Sequence, residues 1–204
     1  MTIRFHRGDL PDLSQYRTEV AVDTETLGLD PHRDRLCVVQ LSPGDGSADV
    51  VQILPGQAPP RNLIALLGDP ARTKIFHFAR FDLAVLFNAF GVMAAPLFCT
   101  KIASRLTRTY AERHSLKDIV KELLDIEISK QQQLSDWGAE TLTDAQLAYA
   151  ASDVLYLHAL KGKLEERLDR EGRRDLADAC FRFLPTRARL DLLGWAEQDI
   201  FSHS

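Results

Sequence analysis

The first hundred residues carry the pattern that most constrains the fold: short apolar runs of strand type, each followed by turn residues. EVAVDTET covers residues 19–26, RLCVVQLS covers 35–42 and ADVVQI covers 48–53. The residues between these runs favour tight turns, and they include Gly28, Asp30-Pro31 and 43–46. Neighbouring strands joined by such short loops are typical of an antiparallel meander. We therefore expect three antiparallel strands at the start of a sheet.

The pattern then changes to an alternation of helix and strand. A helix is predicted near residues 62–67, a strand over 74–78, a helix near 82–90 and a strand over 97–100. Strands separated by helices need crossover connections, which make neighbouring strands parallel. The expected fold class is therefore α/β: a mixed five-stranded sheet, with three antiparallel strands followed by parallel strands, flanked by helices.

From Lys101 onward the chain is predicted to be helical, apart from a loop around residues 128–137. The sequence Thr-Asp-Ala-Gln over 143–146 is a capping box, which predicts one long helix over 143–172. Apolar residues at spacings of three and four, or their multiples, give this helix one buried stripe of Leu147, Ala150, Val154, Leu157, Leu164 and Leu168.

Length and composition bound the class of protein. A chain of 204 residues with 45% hydrophobic residues is ordinary for one globular domain, and we expect a single domain over 1–204. The uncharged run over 83–100 approaches the length of a membrane span, but Asn88, Gly91 and Pro96 interrupt it, which favours a buried helix and strand. The N-terminus has no apolar secretory segment, which predicts a cytoplasmic protein. The net charge of -4 argues against coating long nucleic acid, although a local basic groove stays open.

Two acidic residues stand at the end of the first apolar run, in the sequence Val-Ala-Val-Asp23-Thr-Glu25-Thr. Residues two apart on a strand point to the same face, so Asp23 and Glu25 place two carboxylates side by side. A pair of solvated acids at a strand end is one interpretation. The apolar residues before the pair draw it toward the buried end of the sheet, which favours a site for a hard divalent ion such as Mg²⁺.

Three further residues extend this candidate site. Asp82 lies where a predicted strand passes into a helix, near the sheet edge where α/β proteins bind ligands, although alone it could cap the helix. Tyr149 and Asp153 are four residues apart and share one helix face, although each could be an ordinary surface residue. Together the four carboxylates can surround two divalent ions, an arrangement suited to displacement at phosphorus. In it, Asp23 would bridge the ions, Glu25 and Asp153 would complete the site of the attacking water, and Asp82 would serve the second ion. Tyr149 would orient that water.

Three segments carry these residues, and they resemble the three motifs of the DEDDy class of 3′→5′ exonucleases: AVDTETLGL (21–29), HFARFD (77–82) and YAASD (149–153). SLKDIVKELL…SKQQQLSDW over 115–137 resembles the ribonuclease D branch of that class. The resemblance covers nearly the whole chain and implies a ribonuclease H-like fold. The short length, with the texts GDL, DRLCVVQLS, SKQQQ and LDLLGW, is similar to the nano-RNase C enzymes, compact bacterial nucleases that cut very short oligoribonucleotides. That similarity implies a homo-oligomer, a ring of dimers (octamer), with no helical HRDC domain.

The resemblance also implies roles for individual residues. It assigns catalysis to Asp23, Glu25, Asp82, Tyr149 and Asp153, with two divalent ions, Mg²⁺ or Mn²⁺, held by the four acids. Leu29 matches a leucine that related oligoribonucleases use as a wedge between two bases, or it is a core leucine in a turn. His77 could stack on a base or be a buried histidine with its own partners, and Lys130 could donate to a phosphate or belong to a solvated loop. A basic set forms either a nucleic-acid track or a solvated helical face, and it comprises Lys101, Arg105, Arg108, Arg113, Lys117 and Lys121.

The leading hypothesis from the sequence is a metal-dependent 3′→5′ exoribonuclease. It would hydrolyse short oligoribonucleotides down to dinucleotides and release 5′-mononucleotides, with short RNA as its partner. A DNA 3′→5′ repair or proofreading exonuclease acting on single-stranded DNA is one alternative, because the metal chemistry does not require a 2′-hydroxyl. A non-catalytic, nucleic-acid-binding ribonuclease H-like module is another. Loss of one or more acids would mark such a module, and all four are present here.

Overall fold

The computed structural model describes residues 2–129 and 131–203. In that part of the chain the strands are Thr2–Arg7 (β1), Glu19–Thr26 (β2), Leu36–Ser42 (β3), Ser47–Gln52 (β4), Thr73–Phe76 (β5) and Leu97–Cys99 (β6). They form one sheet in the order β1-β4-β3-β2-β5-β6. The strands β2, β3 and β4 are antiparallel to one another, while β5 runs parallel to β2 and β6 parallel to β5. The predicted α/β class and mixed sheet are confirmed.

The strand β1 is a sixth strand, so the predicted number of five was wrong. It forms the edge of the sheet and pairs in parallel with β4. Its sequence, TIRFHR, carries charged and polar residues where a strand normally presents apolar ones. In the structure Arg4 Nε donates to Asp49 Oδ1 at 2.8 Å, and His6 Nε2 lies 2.8 Å from the same oxygen. The buried carboxylate of Asp49 on β4 therefore binds the polar side chains of β1. Because these side chains are polar, the sequence pattern did not predict a strand here.

The helices of the described residues are Arg61–Gly68 (α1), Ala79–Phe90 (α2), Thr100–Thr107 (α3), Leu116–Leu124 (α4), Asp144–Leu155 (α5), Leu157–Arg170 (α6) and Arg174–Leu190 (α7). A short, widened helical turn follows over Asp191–Trp195. The helix α5 packs on β2, β3 and β4, and α2 packs on β2 and β3. Helices therefore meet the strand that carries Asp23 and Glu25, and they bring their own side chains to its end.

The predicted single helix over 143–172 is two helices, which meet at Tyr156. The predicted capping box at its start is confirmed, because Gln146 N donates to Thr143 Oγ1 and Thr143 N donates to Gln146 Oε1. The apolar stripe is buried as predicted except at Leu147, which is partly buried, and its members pack into two different clusters. Ala150 lies against Val38 and Trp137, whereas the stripe from residue 154 onward joins the main core. The helix before Tyr156, α5, packs on the sheet, whereas α6 after it packs on α3 and α4.

The uncharged run over 83–100 forms the end of α2, a turn, and β6, as the sequence predicted. Within residues 2–129 and 131–203, no helix has both the length and the apolar character needed to cross a bilayer.

Candidate active site

Three carboxylates meet at the end of β2. Asp23 and Glu25 lie two residues apart on that strand, and α5, which packs against it, contributes Asp153. One carboxylate oxygen from each of the three residues lies within 4.8 Å of the other two. The structure therefore brings together two strand acids and one helix acid that are separated by more than a hundred positions in the sequence.

A buried glutamine fixes the orientation of Asp23. Gln40 lies directly opposite Asp23 in the antiparallel pair of β2 and β3, and its side chain is fully buried. Gln40 Nε2 donates to Asp23 Oδ2 at 2.6 Å. This contact was not predicted from the sequence. Its signal was a lone polar residue inside the apolar run CVVQL, on a strand already expected to be buried.

Asp82 is held separately from the three-carboxylate cluster. It lies in the first turn of α2, is 3% exposed, and accepts a hydrogen bond of 2.7 Å from Thr24 Oγ1. Thr24 stands between Asp23 and Glu25, so one strand positions all three acids. The predicted location at a strand-to-helix junction is observed, and the bond from Thr24 is a contact that the sequence did not predict.

The acids act on one another through their charges. Burial, together with the charges of Asp82, Asp153 and Glu25, raises the pKa of Asp23 well above its usual range. Burial and the neighbouring Asp153 raise the pKa of Glu25 to about 9, and burial raises the pKa of Asp82 to about 7. In the absence of a counter-charge these carboxyls hold their protons to unusually high pH, because ionising them together is unfavourable.

Tyr149 lies beside Asp153 on α5, as the spacing of four predicted. Burial and the charge of Asp153 raise the pKa of its phenol, which therefore keeps its proton at neutral pH. Its ring packs against the buried Trp137, with the ring centroids 6.0 Å apart and the planes inclined by 40°. Trp137 precedes α5 in the loop after α4, and it fixes the phenol from the side opposite the solvent.

A cleft of about 380 Å³ opens over this cluster. Its walls are formed by Asp23, Thr24, Glu25, His77, Phe78, Lys101, Ser115, Leu116, Lys117, Ile128, Gln133, Tyr149 and Asp153. The wall formed by the start of α2, α3 and α4 carries the aromatic and basic side chains. The acids and Tyr149 come from β2 and α5.

The residues predicted to bind substrate are placed differently from one another. His77 lines the cleft, and its Nδ1 lies 2.9 Å from Thr100 Oγ1. Leu29 is 85% exposed and is not among the residues that line the cleft. Lys130 lies outside the described residues. The wedge role of Leu29 and the phosphate role of Lys130 therefore stay predictions.

The basic set divides into structural and cleft-facing members. Arg108 is buried and forms an ion pair with Glu122, and Lys121 pairs with Asp125 at 2.8 Å. Lys101 and Lys117, in contrast, line the cleft. The set is therefore neither one continuous track nor one solvated face.

The donor set fits a divalent cation. Carboxylate oxygens are the ligands that hard ions such as Mg²⁺ prefer, and a cation would relieve the mutual repulsion that raises the pKa values of these acids. Asp23, Glu25 and Asp153 could share such an ion, because their oxygens already lie close together.

A mixed sheet whose strand end gathers acids from a strand and a helix, with a tyrosine beside the last aspartate, is the arrangement expected of a 3′→5′ exonuclease. Residues 10–169 match the 3′-5′ exonuclease family, and the chain belongs to that family of hydrolases. It is 38% identical over 189 residues to ribonuclease D of Acidiphilium cryptum, a match that covers 86% of this chain and 47% of that protein.

Over its whole length the chain is similar to NrnC (nano-RNase C) from Brucella melitensis. The structure of NrnC with bound Mg²⁺ is 67% identical, with a TM-score of 0.96, and the structure of NrnC bound to pGG is 68% identical, with a TM-score of 0.97. Each comparison covers 100% of both chains. The predicted resemblance to exonucleases of the ribonuclease D branch, and to nano-RNase C, is confirmed.

Proposed function

We propose that the protein is a metal-dependent 3′→5′ exoribonuclease that hydrolyses very short oligoribonucleotides, down to dinucleotides. The observation that carries the proposal is a single cleft lined both by Asp23, Glu25 and Asp153 and by Lys101 and Lys117. Acids and ammonium groups in one cleft suit a substrate whose scissile phosphate binds at the acids and whose remaining charge binds at the lysines. The complex of NrnC with pGG supports this substrate class by similarity.

The acids would hold two divalent ions, Mg²⁺ or Mn²⁺, with Asp82 serving the second. When bound, such a pair lowers the pKa of the attacking water and stabilises the leaving oxygen. Gln40 keeps one oxygen of Asp23 engaged at 2.6 Å and so directs the other toward the cleft. The reaction adds water to phosphorus, breaks the bond to the 3′ oxygen, and yields a 5′-mononucleotide and a shortened chain ending in a 3′-hydroxyl.

Tyr149 would orient the water rather than deprotonate it. Its phenol stays protonated because burial and Asp153 raise its pKa. A protonated phenol can accept a hydrogen bond from one group and donate a hydrogen bond to another. These hydrogen bonds would fix the position of the water between Tyr149 and the acids. The packing of Trp137 against the ring holds that position.

Substrate length is the property that most sharply tests this proposal. A protein of net charge -4 gains little affinity from each phosphate added to the substrate. Such a gain comes from counterions that leave the nucleic acid when Lys and Arg contact its phosphates. We expect kcat/KM to be highest for 5′-phosphorylated dinucleotides when RNAs of two to seven residues are compared. Removing the 5′ phosphate should lower kcat/KM more for dinucleotides than for heptamers, because only a dinucleotide places both ends in the cleft at once.

Variants of the cleft lysines locate the phosphate contact. Lys117→Ala should reduce the benefit of the 5′ phosphate, whereas Lys163→Ala, at an exposed position on α6, should leave it unchanged. A rise of kcat/KM from two to seven residues, with a steep fall in added salt, would instead indicate an open groove and a general exonuclease. Matched DNA oligonucleotides in the same series distinguish an exoribonuclease from a DNA exonuclease.

We further propose that the protein acts as a homo-oligomer, a ring of dimers. Large apolar residues are exposed near the end of the chain, among them Leu193, Trp195 and Phe201, which are 65%, 41% and 75% exposed. The ring of Phe201 packs against the ring of Phe183, with the ring centroids 5.8 Å apart. This contact covers only part of the Phe201 ring. Light scattering should give a mass several times 22.9 kDa. A fully active monomer at micromolar concentration would contradict this assembly.

A further inference from the structure

Phe78 has an unusual backbone conformation at the wall of the cleft. It connects β5 to α2 with φ 70° and ψ 44°, in the left-handed region. Side chains with a Cβ are disfavoured there, and glycine or asparagine is the usual choice. In the described residues the other non-glycine position with positive φ is Asp125, and aspartate tolerates this region well. A phenylalanine is therefore a costly residue for this turn.

Core packing does not account for the phenylalanine. Its side chain is 43% exposed, and it is absent from the hydrophobic clusters of the described residues. Phe81, three residues later on α2, packs against the main core instead. Phe78 lines the same cleft as His77 and the acids. The left-handed backbone at Phe78 is thus unfavourable in itself, and it places an aromatic ring in the candidate active site.

One face of this ring is already engaged. Lys101 Nζ lies 4.2 Å from the ring centroid, in the geometry of a cation–π contact. The opposite face and the ring edge are the surfaces that a second planar group could meet. Nucleobases stack on aromatic side chains without regard to sequence, because every base has a π face.

We propose that Phe78 is the base-stacking platform of the cleft and takes one nucleobase of the bound oligonucleotide on the face opposite Lys101. The strained turn is retained because it projects the ring over the site, as strained residues at functional sites commonly do. The inference deepens the proposed function and rests on it. It assigns affinity for the substrate, rather than the chemical step, to this residue.

Two substitutions distinguish the contribution of the aromatic ring from that of the left-handed backbone at residue 78. Phe78→Asn keeps a residue that tolerates the left-handed region and removes the aromatic face. With pGG as substrate, KM is expected to rise about thirtyfold, the middle of the range for one stacked base, while kcat changes less than about threefold. The melting temperature should stay at or above that of the parent protein. Phe78→Tyr should retain KM within about threefold, because its ring still stacks.

A substrate lacking one base gives the matched control. Two dinucleotides, each with an abasic ribose at one of the two positions, should identify the stacked base. On the one that lacks it, Phe78→Asn should cause no further rise in KM, as in a double-mutant cycle. The proposal is overturned if Phe78→Asn keeps the parent KM, if both abasic dinucleotides still show its full effect, or if the melting temperature and kcat fall together. Failure of the parent protein to hydrolyse pGG would overturn the proposed function instead.

Discussion

Conversion of Asp23, Glu25, Asp82 or Asp153 to its amide is expected to lower turnover of short RNA by about a hundredfold or more, with the fold intact. Each change removes a negative ligand from a site whose charge balance would fix two ions, and the remaining acids cannot restore it. The amides have nearly the same shape as the acids, so packing at the end of β2 is preserved. Steady-state kinetics on a 5′-labelled RNA in Mg²⁺, with circular dichroism as the check on folding, measures the loss.

Two comparisons make this result specific. Tyr149→Phe should be milder and should leave metal binding intact, because the phenol positions water and is not a predicted ligand. Glu166→Gln, at a side chain that is 72% exposed on α6, should have the parent rate. Rates near those of the parent for any two of the four acid variants would contradict the two-ion assignment.

Mg²⁺ binding should strengthen at least about a hundredfold between pH 6 and pH 8. Glu25, with a pKa raised to about 9 by burial and by Asp153, still holds its proton at both pH values, and a cation must displace it. One proton released per ion changes the apparent affinity about tenfold per pH unit. Asp82, with a pKa of about 7, adds to this slope below neutral pH. Calorimetric titration of the metal-free protein with Mg²⁺ at pH 6, 7 and 8 measures the effect.

The raised pKa of Glu25 also determines how the free energy of unfolding changes with pH. Because the folded pKa of Glu25 lies above its ordinary value of 4.5, the folded protein binds this proton more tightly than the unfolded chain does. Without metal, the free energy of unfolding should therefore fall as the pH rises from 4.5 to about 9, and Mg²⁺ should oppose the fall. Glu25→Gln removes this proton and should reduce the pH dependence of both stability and Mg²⁺ affinity, leaving the part that Asp23 and Asp82 contribute. Mg²⁺ affinity independent of pH in the parent protein would contradict the coupling.

The acids could be predicted from the sequence because each is tied to local structure. Asp23 and Glu25 end an apolar run, so their shared face follows from the alternation of a strand alone. Tyr149 and Asp153 follow from the periodicity of a helix. Their meeting could not be derived from either period, since it depends on how α5 packs against β2. It was predicted from the combination of four acids suited to two divalent ions and from the resemblance to a known arrangement of motifs.

Other features depend on contacts that no local pattern shows. The strand β1 has a polar sequence because its partner is the buried Asp49, forty-five positions from Arg4. The break at Tyr156 joins α5, which packs on the sheet, to α6, which packs on α3 and α4, and the apolar stripe runs through both helices without marking the break. The bond from Gln40 to Asp23 follows from the register of β2 and β3, and the sequence indicates the strands but not how they are aligned. The sequence predicts Phe78 as the last residue of a strand over 74–78, whereas the strand ends at Phe76 and Phe78 has a left-handed backbone.

The central claim is that the clustered acids catalyse metal-dependent removal of nucleotides from the 3′ end of short RNA. The direct measurement follows a 5′-labelled RNA of two to ten residues, with matched DNA, in Mg²⁺ with and without excess chelator. The account predicts successive shortening from the 3′ end with release of 5′-mononucleotides, loss of this activity with chelator or in Glu25→Gln, and a preference for RNA. Internal cleavage, activity that persists in chelator, or hydrolysis of DNA alone would contradict it.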